Sequence, residues 1–220
     1  MIVTIDGPAG SGKSTAARGL AERLGFDFLD TGAMYRVVAL CCLERDISAT
    51  DRVAVTEAAQ TIDMQVRDGH TLMNDHDVTA AIRSPEVTEA ASLVAGIEGV
   101  RDELVDWQRQ AASEKDIVTE GRDQGTVVFP EAECKFFLTA APEVRARRRQ
   151  QDLERTGVTV DFEEMLRLIH ERDNRDASRN VAPLKPAADA RHVDTSELSA
   201  DGMLDLLEKV VRERMAAQRD

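Results

Sequence analysis

The sequence has only three cysteines, one tryptophan and one tyrosine among 220 residues, and it has no long apolar segment. Cys41, Cys42 and Cys134 form neither a C-x-x-C motif nor the spacing of a metal site, so we expect buried thiols rather than a disulfide scaffold. No apolar run is long enough to cross a bilayer. The first predicted strand begins at Met1, which leaves no space for a signal peptide. These features predict a cytoplasmic protein.

Basic residues are also scarce relative to acidic ones. The chain carries 28 Lys and Arg against 41 Asp and Glu, which gives a formal net charge of -13 at pH 7. Such an acidic surface argues against non-specific binding of nucleic acids or of anionic membranes. The length suits one α/β domain with an insertion. Because the apolar faces can all be buried within the chain, we expect a monomer.

A phosphate-binding loop occupies residues 7–14, where GPAGSGKS matches the P-loop pattern G-x-x-x-x-G-K-[ST] at every required position. A short apolar strand precedes the loop over residues 1–5, and a helical segment follows it over residues 15–24. The small residues allow the backbone to curl so that its N–H groups point at phosphate oxygens. The predicted ATP-binding residues are Gly7, Pro8, Ala9, Gly10, Ser11, Gly12, Lys13, Ser14 and Thr15.

Two side chains of this loop have specific roles in the pattern. Lys13 is expected to reach the β- and γ-phosphates, and the positive end of the helix that begins near it points at the same anion. The hydroxyl of Ser14 is expected to bind Mg²⁺. The loop therefore predicts ATP with Mg²⁺ as the donor, but it leaves the acceptor open.

Short strands alternate with helices along most of the chain. Strands are predicted at residues 1–5, 26–29, 117–119, 134–138 and 192–194. This alternation predicts an α/β fold with a five-stranded parallel sheet and helices on both faces. The P-loop, residues 30–36 and residues 120–126 all follow predicted strand ends, so we expect them to lie at the carboxyl edge of the sheet, where ligands bind.

One segment departs from this alternation. Residues 63–67 and 70–74 flank an Asp-Gly pair, a pattern that predicts a β-hairpin. Thr31 is predicted to cap the helix before it, which runs to about Arg45. We expect the hairpin to belong to an inserted lobe rather than to the core sheet.

Arginines follow two of the predicted strands and recur near the C-terminal third of the chain. Arg36 follows the second strand, and Arg122 follows the third. Arg172, Asp176 and Arg179 have the i, i+4, i+7 spacing that places side chains on one face of a helix. Because guanidinium groups suit phosphate oxygens, these arginines favour an acceptor that carries a phosphate. Other arginines of this region are expected to form ion pairs at the surface: Arg147, Arg155 and Arg167.

Four motifs, in this order and spacing, resemble those of the bacterial type of cytidylate kinase: GPAGSGKS, DTGAMYR, EGRDQGTVVFP and ERDNRDASRNVAPL. The resemblance extends from Met1 to the terminal helix, and the last two motifs are much more specific than the P-loop. It implies a nucleoside monophosphate kinase that transfers the γ-phosphoryl group of ATP to CMP or dCMP, which yields ADP with CDP or dCDP.

The resemblance also implies a domain organisation. Residues 1–220 would form a single P-loop kinase domain. Its core would comprise about 1–35, 114–145 and 163–220. A monophosphate-binding insert lobe would span about 36–113. A mobile lid over about 146–162 would close on the substrates.

Individual residues acquire implied roles in the same way. Arg36, Arg122 and Arg179 match positions that hold the α-phosphate of the acceptor, while Arg172 and Asp176 match positions at the ribose. The residues implied to be catalytic are Lys13, Arg122, Arg172 and Arg179. The residues implied to bind the acceptor are Thr31, Tyr35, Arg36, Ser92, Arg101, Arg122, Asp123, Arg172, Asp176 and Arg179.

Ser92, Arg101 and Asp123 match positions that face the cytosine ring. Cytosine carries an exocyclic amine beside ring acceptors, so a carboxylate, an arginine and a hydroxyl form a complementary set. Uracil has a carbonyl in place of the amine and would face Asp123 unfavourably. The chain departs slightly from the family pattern at two positions. Thr31 stands where the family also carries serine, and Glu120 stands near the metal, where aspartate also occurs.

Two other functions remain open at this point. A kinase of the same fold could act on another small acceptor, such as shikimate or a nucleoside, although the arginines favour a phosphorylated one. A non-catalytic nucleotide sensor could use the P-loop only to change conformation. The residues between 92 and 123 would then have no assigned role.

Overall fold

A computed structural model describes residues 1–67, 70–155, 157–179 and 181–218. For Arg67 it describes the backbone but not the side chain. The Asp-Gly pair at positions 68–69, predicted to form the hairpin turn, lies outside the described residues. The chain divides into two compact units. The first unit consists of Met1–Leu29 and the chain from Ala112 onward, and the second of Asp30–Ala111. The second unit thus begins at Asp30, whereas the sequence placed the start of the inserted lobe near residue 36.

The secondary structure follows the predicted alternation. Up to Ala111 the strands and helices are β1 (Ile2–Asp6), α1 (Lys13–Leu24), β2 (Asp27–Asp30), α2 (Thr31–Glu44), α3 (Arg52–Gln60), β3 (Met64–Arg67), β4 (His70–Met73), β5 (His76–Asp77), α4 (Pro85–Val94) and α5 (Glu98–Ala111). The chain continues with β6 (Ile117–Gly121), β7 (Cys134–Thr139), α6 (Pro142–Glu154), α7 (Phe162–Ser178), β8 (Arg191–Asp194) and α8 (Ala200–Ala217). A π-helical segment over Gln124–Val128, which the sequence did not predict, follows β6. Within the described chain, no helix has the length and apolar character needed to cross a membrane.

The main sheet has the strand order β2-β6-β1-β7-β8. Strand β1 pairs in parallel with β6 on one side and with β7 on the other, which places Ile5 opposite Glu120 and Phe136. Strand β7 pairs in parallel with β8. Val3 and Ile5 are fully buried, as expected for a strand covered on both faces. The predicted five-stranded parallel sheet with helices on both faces is confirmed.

A hydrophobic core joins this sheet to α1 and α8. Its fully buried side chains include Leu20 of α1, Leu138 of β7 and Leu207 of α8. Because α1 is fixed by this core, its first residues, and with them the P-loop, are held at the carboxyl end of β1. The predicted buried thiols are confirmed across the two units: Cys41, Cys42 and Cys134.

The second unit contains α2 to α5 and a small antiparallel sheet. Strands β3 and β4 pair with Gln65 opposite Leu72, which is the predicted hairpin. Strand β5, which the sequence did not predict, adds a third strand beside β4. Helix α2 packs against α4, and α3 packs against α5. Fully buried Val94 and Val100 belong to the core of this unit.

The predicted cap of α2 was wrong. Asp30, not Thr31, caps the helix, since its side chain accepts a hydrogen bond from the amide of Ala33 at 2.8 Å. Aspartate is at least as effective a cap as threonine, and here it lies one residue earlier in the chain. Thr31 is instead the first helical residue and is buried.

The predicted helical face of Arg172, Asp176 and Arg179 was wrong for its last member. Helix α7 ends at Ser178, and Arg179 has an extended backbone with φ -58° and ψ 134°. The chain therefore turns away from the helix before Arg179. Its guanidinium nonetheless contacts the carboxylate of Asp176, as described below.

The core assignment can be tested with Leu207→Ala. This change is expected to lower the free energy of unfolding by about 2–5 kcal/mol, because it removes a fully buried side chain and leaves a cavity. Leu168→Ala is the matched control, since Leu168 is 39% exposed, and we expect it to cost less than about 1 kcal/mol. Urea denaturation followed by circular dichroism measures both. Equal destabilisation by the two changes would contradict this core.

Candidate active site

The P-loop runs from β1 into α1, and its three glycines, Gly7, Gly10 and Gly12, all have positive φ. Gly7 has φ 149°, and a Cβ atom there would lie 2.0 Å from the carbonyl oxygen of Leu138 on β7. No larger residue fits at this position. Gly12 has φ 89° and is the N-cap of α1. The loop therefore lies between the end of a strand and the N-terminus of a helix, where backbone N–H groups can bind phosphate.

Lys13 is the buried cation of the loop and is only 5% exposed. Its Nζ donates a hydrogen bond to the carbonyl oxygen of Pro8 at 2.6 Å. Burial, together with the positive charges of Arg122 and Arg172, lowers the pKa of Lys13 to about 7, although the negative charge of Glu120 opposes this. A phosphate anion placed here would raise that pKa again, because it supplies the opposite charge that favours the protonated amine.

Ser14 and Glu120 bring two oxygens together beside Lys13. The hydroxyl of Ser14 donates a hydrogen bond to Oε1 of Glu120 at 2.8 Å. Mg²⁺ is usually held by one or two protein oxygens together with waters and substrate phosphates, so this pair fits the ion. Across the described residues, no group of three or more His, Cys, Asp and Glu side chains is placed to hold a metal. The ion would therefore depend on nucleotide phosphates for most of its ligands.

Asp6, at the end of β1, holds the turn that follows β6. Its carboxylate accepts hydrogen bonds from the backbone amides of Gln124 at 2.9 Å and Gly125 at 2.8 Å. Burial raises the pKa of Asp6 to about 6, and these two backbone bonds only partly oppose the shift. The turn carries Arg122 and Asp123, and the side chain of Asp123 is buried. One carboxylate therefore fixes the backbone from which two predicted acceptor-binding side chains project.

Asp176 is the centre of an ion-pair cluster and is only 1% exposed. Its Oδ2 accepts a hydrogen bond from Nε of Arg122 at 2.7 Å, and its Oδ1 lies 2.7 Å from Nη2 of Arg179. Burial alone would raise the pKa of Asp176, but the charges of Arg122, Arg179 and Arg172 hold it below its usual value. The first unit thus brings together the predicted residues Lys13, Ser14, Arg122, Arg172, Asp176 and Arg179.

In the second unit, Asp30 joins two arginines near the start of α2. Its carboxylate accepts hydrogen bonds from Nη2 of Arg36 at 3.3 Å and from Nη2 of Arg83 at 2.7 Å. Burial opposes ionisation of Asp30, but the two arginines and the bond from Ala33 hold its pKa below the usual value. The Asp30 carboxylate therefore sets the direction of the Arg36 guanidinium.

The remaining predicted residues of the second unit are buried or half-buried. The guanidinium of Arg101 lies over the ring of Tyr35, 5.8 Å from its centroid, and Arg101 is only 3% exposed. Nη1 of Arg101 also donates to the carbonyl oxygen of Ala95 at 3.4 Å. Ser92 and Thr31 are buried as well. The structure thus brings Tyr35 and Arg101 together, as expected if both serve one ligand.

The arginines predicted to be surface residues behave differently from those of the site. Arg155 pairs with Asp152 at 3.1 Å, and Arg167 pairs with Glu164 and Glu171, as predicted. For Arg147 an ion pair was predicted, but its guanidinium lies 5.5 Å from the centroid of the Phe162 ring. These contacts lie within or beside the predicted lid, whose mobility stays a prediction.

Sequence reasoning missed three charged residues of these arrangements. Asp6 directly precedes the first glycine of the P-loop, and Asp30 opens the motif DTGAMYR. The position of Asp6 and Asp30 within or next to a recognised motif was the feature of the sequence that could have identified them. Arg83 belongs to no motif, so no feature of the sequence could have identified it.

Comparison with known proteins indicates the same family as the sequence motifs, and the matches extend over nearly the whole chain. The family model for cytidylate kinase matches residues 3–213. A cytidylate kinase of Thermotoga neapolitana is 45% identical over 216 residues, which cover 98% of this chain and 98% of the relative. A cytidylate kinase of Rhodopirellula baltica is 44% identical over 217 residues, which cover 99% of this chain and 95% of the relative.

Among solved structures, an uncharacterized protein of Eubacterium ventriosum has a TM-score of 0.54 at 14% identity and covers 96% of this chain and 98% of its own. That likeness concerns the fold alone. The sequence matches are far closer and extend over nearly the full length of the chain. On that ground, the chain belongs to the cytidylate kinase family.

Proposed function

We propose that the protein transfers the γ-phosphoryl group of ATP to CMP or dCMP, which yields ADP with CDP or dCDP. The observation that carries this proposal is the cluster of Arg122, Asp176 and Arg179 in the same unit as a complete P-loop, in a chain of the cytidylate kinase family. A P-loop alone predicts only a donor. The arginine cluster adds the charges that a second, phosphorylated substrate requires.

The donor phosphates would be bound by the loop backbone, the N-terminus of α1 and Lys13. Phosphoryl transfer needs little covalent chemistry from the protein, because most of the catalysis comes from positioning and from offsetting negative charge. Lys13 is buried and already directed into the loop, as its bond to Pro8 shows. It would exchange that carbonyl for phosphate oxygens when ATP binds.

The acceptor needs no side-chain general base, because the attacking group is an ionised phosphate oxygen. Arg36, Arg122 and Arg179 are the proposed ligands of that phosphate, with Arg172 and Asp176 at the ribose. The contacts that Arg122 and Arg179 make with the accepting carboxylate of Asp176 orient both guanidinium groups before the acceptor arrives. Such pre-orientation lowers the reorganisation needed at the moment of transfer.

The base is proposed to be read by Asp123 together with Ser92 and Arg101. All of them are at most 8% exposed, so a hydrogen bond there competes with little water. The Asp123 carboxylate accepts from the exocyclic amine of cytosine. Uracil loses this bond and also places a carbonyl against a negative charge.

Mg²⁺ is proposed as the required ion, which the Ser14 hydroxyl would help to hold, with the Glu120 carboxylate beside it. When bound to the phosphates it offsets charge that develops during transfer. We also propose that the protein acts as a cytoplasmic monomer. The absence of membrane-crossing helices from the described chain and the acidic net charge are compatible with this.

Release of ADP from ATP, measured with and without CMP, tests the proposed function against a nucleotide sensor. A kinase releases ADP at a rate that depends on CMP. CMP-independent release, or no release at all, would contradict the proposal. A kinase for another small acceptor would show release only with that acceptor.

Lys13→Ala is expected to lower kcat by about 100-fold or more, because it removes the buried cation beside the transferred group. The measurement is steady-state ADP release at saturating ATP and CMP, with circular dichroism to verify the fold. Near-normal turnover in the folded variant would remove the donor-site assignment.

ATP binding is expected to take up roughly one proton at about pH 8, since Lys13 is then mostly neutral in the free protein and becomes protonated beside phosphate. At about pH 6 Lys13 is already protonated, so its contribution disappears. Calorimetry of Mg–ATP binding in buffers of different ionisation enthalpy measures the uptake. Lys13→Arg is the control, because arginine stays protonated in both states. Equal uptake by the two proteins would contradict the shifted pKa.

Asp123→Ala is expected to reduce kcat/KM for CMP more than for UMP and to narrow the gap between them by about ten- to a hundredfold. ATP affinity should change little. If Asp123 instead serves only to hold the loop beside Arg122, both substrates should suffer equally. An unchanged ratio of CMP to UMP in the variant would therefore rule out direct reading of the base.

A further inference from the structure

The outer side of the P-loop has hydrogen-bond partners of its own. When the N–H groups of such a loop point at phosphate, its carbonyl oxygens point away and must be satisfied elsewhere. The carbonyl oxygen of Ala9 accepts a hydrogen bond from Nη1 of Arg145 at 3.2 Å, and that of Ser11 accepts one from Oγ1 of Thr195 at 3.0 Å. The loop backbone is therefore supported from the side opposite the proposed phosphates.

Arg145 is the buried member of this support, at 4% exposure. Its Nη1 and Nη2 donate to the two carboxylate oxygens of Asp173 at 3.0 and 2.6 Å, and its Nε donates to the carbonyl oxygen of Ala140 at 3.0 Å. With the bond to Ala9, one guanidinium contacts the P-loop, the short segment between β7 and α6, and helix α7. Such bidentate pairing fixes direction as well as distance.

Close packing accompanies these bonds. Gly10 has φ 76°, and a Cβ atom there would lie 3.0 Å from both Cβ and the carbonyl oxygen of Arg145. Ala9 packs against the small cluster formed by buried Ala146, Met165 and Ile169 of α6 and α7. The P-loop is thus in direct contact with the hairpin of α6 and α7.

Asp173 occupies a particular place on α7. It directly follows Arg172 and lies three residues before Asp176, which holds Arg122 and Arg179. A displacement of Asp173 would therefore move the backbone that carries the proposed acceptor-binding residues of α7.

We propose that Arg145 is a positioning residue that links the P-loop to α7, so that occupation of the loop by donor phosphates restrains the helix that carries Arg172 and Asp176. Arg145 contacts neither of the proposed substrates and acts only through Ala9 and Asp173. Its effect on the acceptor rests on the proposed function, but the structural link itself does not.

Hydrogen–deuterium exchange tests the link without turnover. A non-hydrolysable ATP analogue with Mg²⁺ is added to the full-length protein without CMP. In the wild type, exchange is expected to slow in the P-loop and also in α7. In Arg145→Met, the loop is expected to keep its protection at saturating analogue, whereas the protection of α7 is expected to fall to half or less.

Two further variants separate the link from a local or general effect. Asp173→Asn retains the bond from Arg145 to Ala9 but weakens the contact with α7, so it should reproduce the loss in α7. It also serves as the main test if Arg145→Met does not fold. Arg167→Met is the matched control, because Arg167 also pairs with two carboxylates on α7 but is exposed. It should leave the protection of α7 unchanged.

Kinetics provide a second readout. Arg145→Lys keeps the positive charge but loses the pair of N–H donors with which the guanidinium binds Asp173. This change is expected to lower kcat/KM for CMP by about 10- to 100-fold, while the Kd of the ATP analogue changes less than about threefold. If the wild type does not phosphorylate CMP, the proposed function fails, while the exchange experiment still decides the link. The link would be overturned if α7 gains no protection in the wild type, or gains the same protection in Arg145→Met or Asp173→Asn.

Discussion

Several positive charges are held close together in the first unit before any phosphate is bound, and much of the surrounding structure serves to balance them. Lys13 shows the electrostatic cost most directly, because burial and nearby arginines lower its pKa to about 7. Asp176 offsets part of this repulsion by pairing with Arg122 and Arg179. A site built in this way favours a polyphosphate ligand, since the ligand supplies the negative charge that the free protein lacks.

Carboxylates perform two different tasks within the two units. Asp176 and Asp173 pair with arginine side chains and so set their direction. Asp6 accepts bonds from backbone amides and fixes the turn after β6, while Asp30 combines both tasks at the start of α2. Orientation of the cationic groups thus depends on a few aspartates, of which only Asp176 is also proposed to contact a substrate.

Much of the fold and the core of the site could be predicted from the sequence. The alternation of short apolar strands with helices predicted all five strands of the parallel sheet, and the Asp-Gly pair predicted the hairpin. The P-loop pattern and the motif around Arg122 identified residues that the first unit brings together. Local spacing failed at two helix ends: α7 ends before Arg179, and Asp30, one residue earlier than the predicted Thr31, caps α2. Partners such as Asp173 for Arg145 lie far apart in the chain, so periodicity carries no information about them.

A comparison of kcat/KM for CMP, dCMP, UMP and AMP, with ATP as the donor, tests the proposed substrate of this protein most directly. The proposed contacts to the exocyclic amine and to the α-phosphate predict that CMP and dCMP are used far better than UMP and AMP. If the protein uses AMP or UMP as well as CMP, or phosphorylates none of the four, this chain is not a kinase specific for cytidine monophosphates.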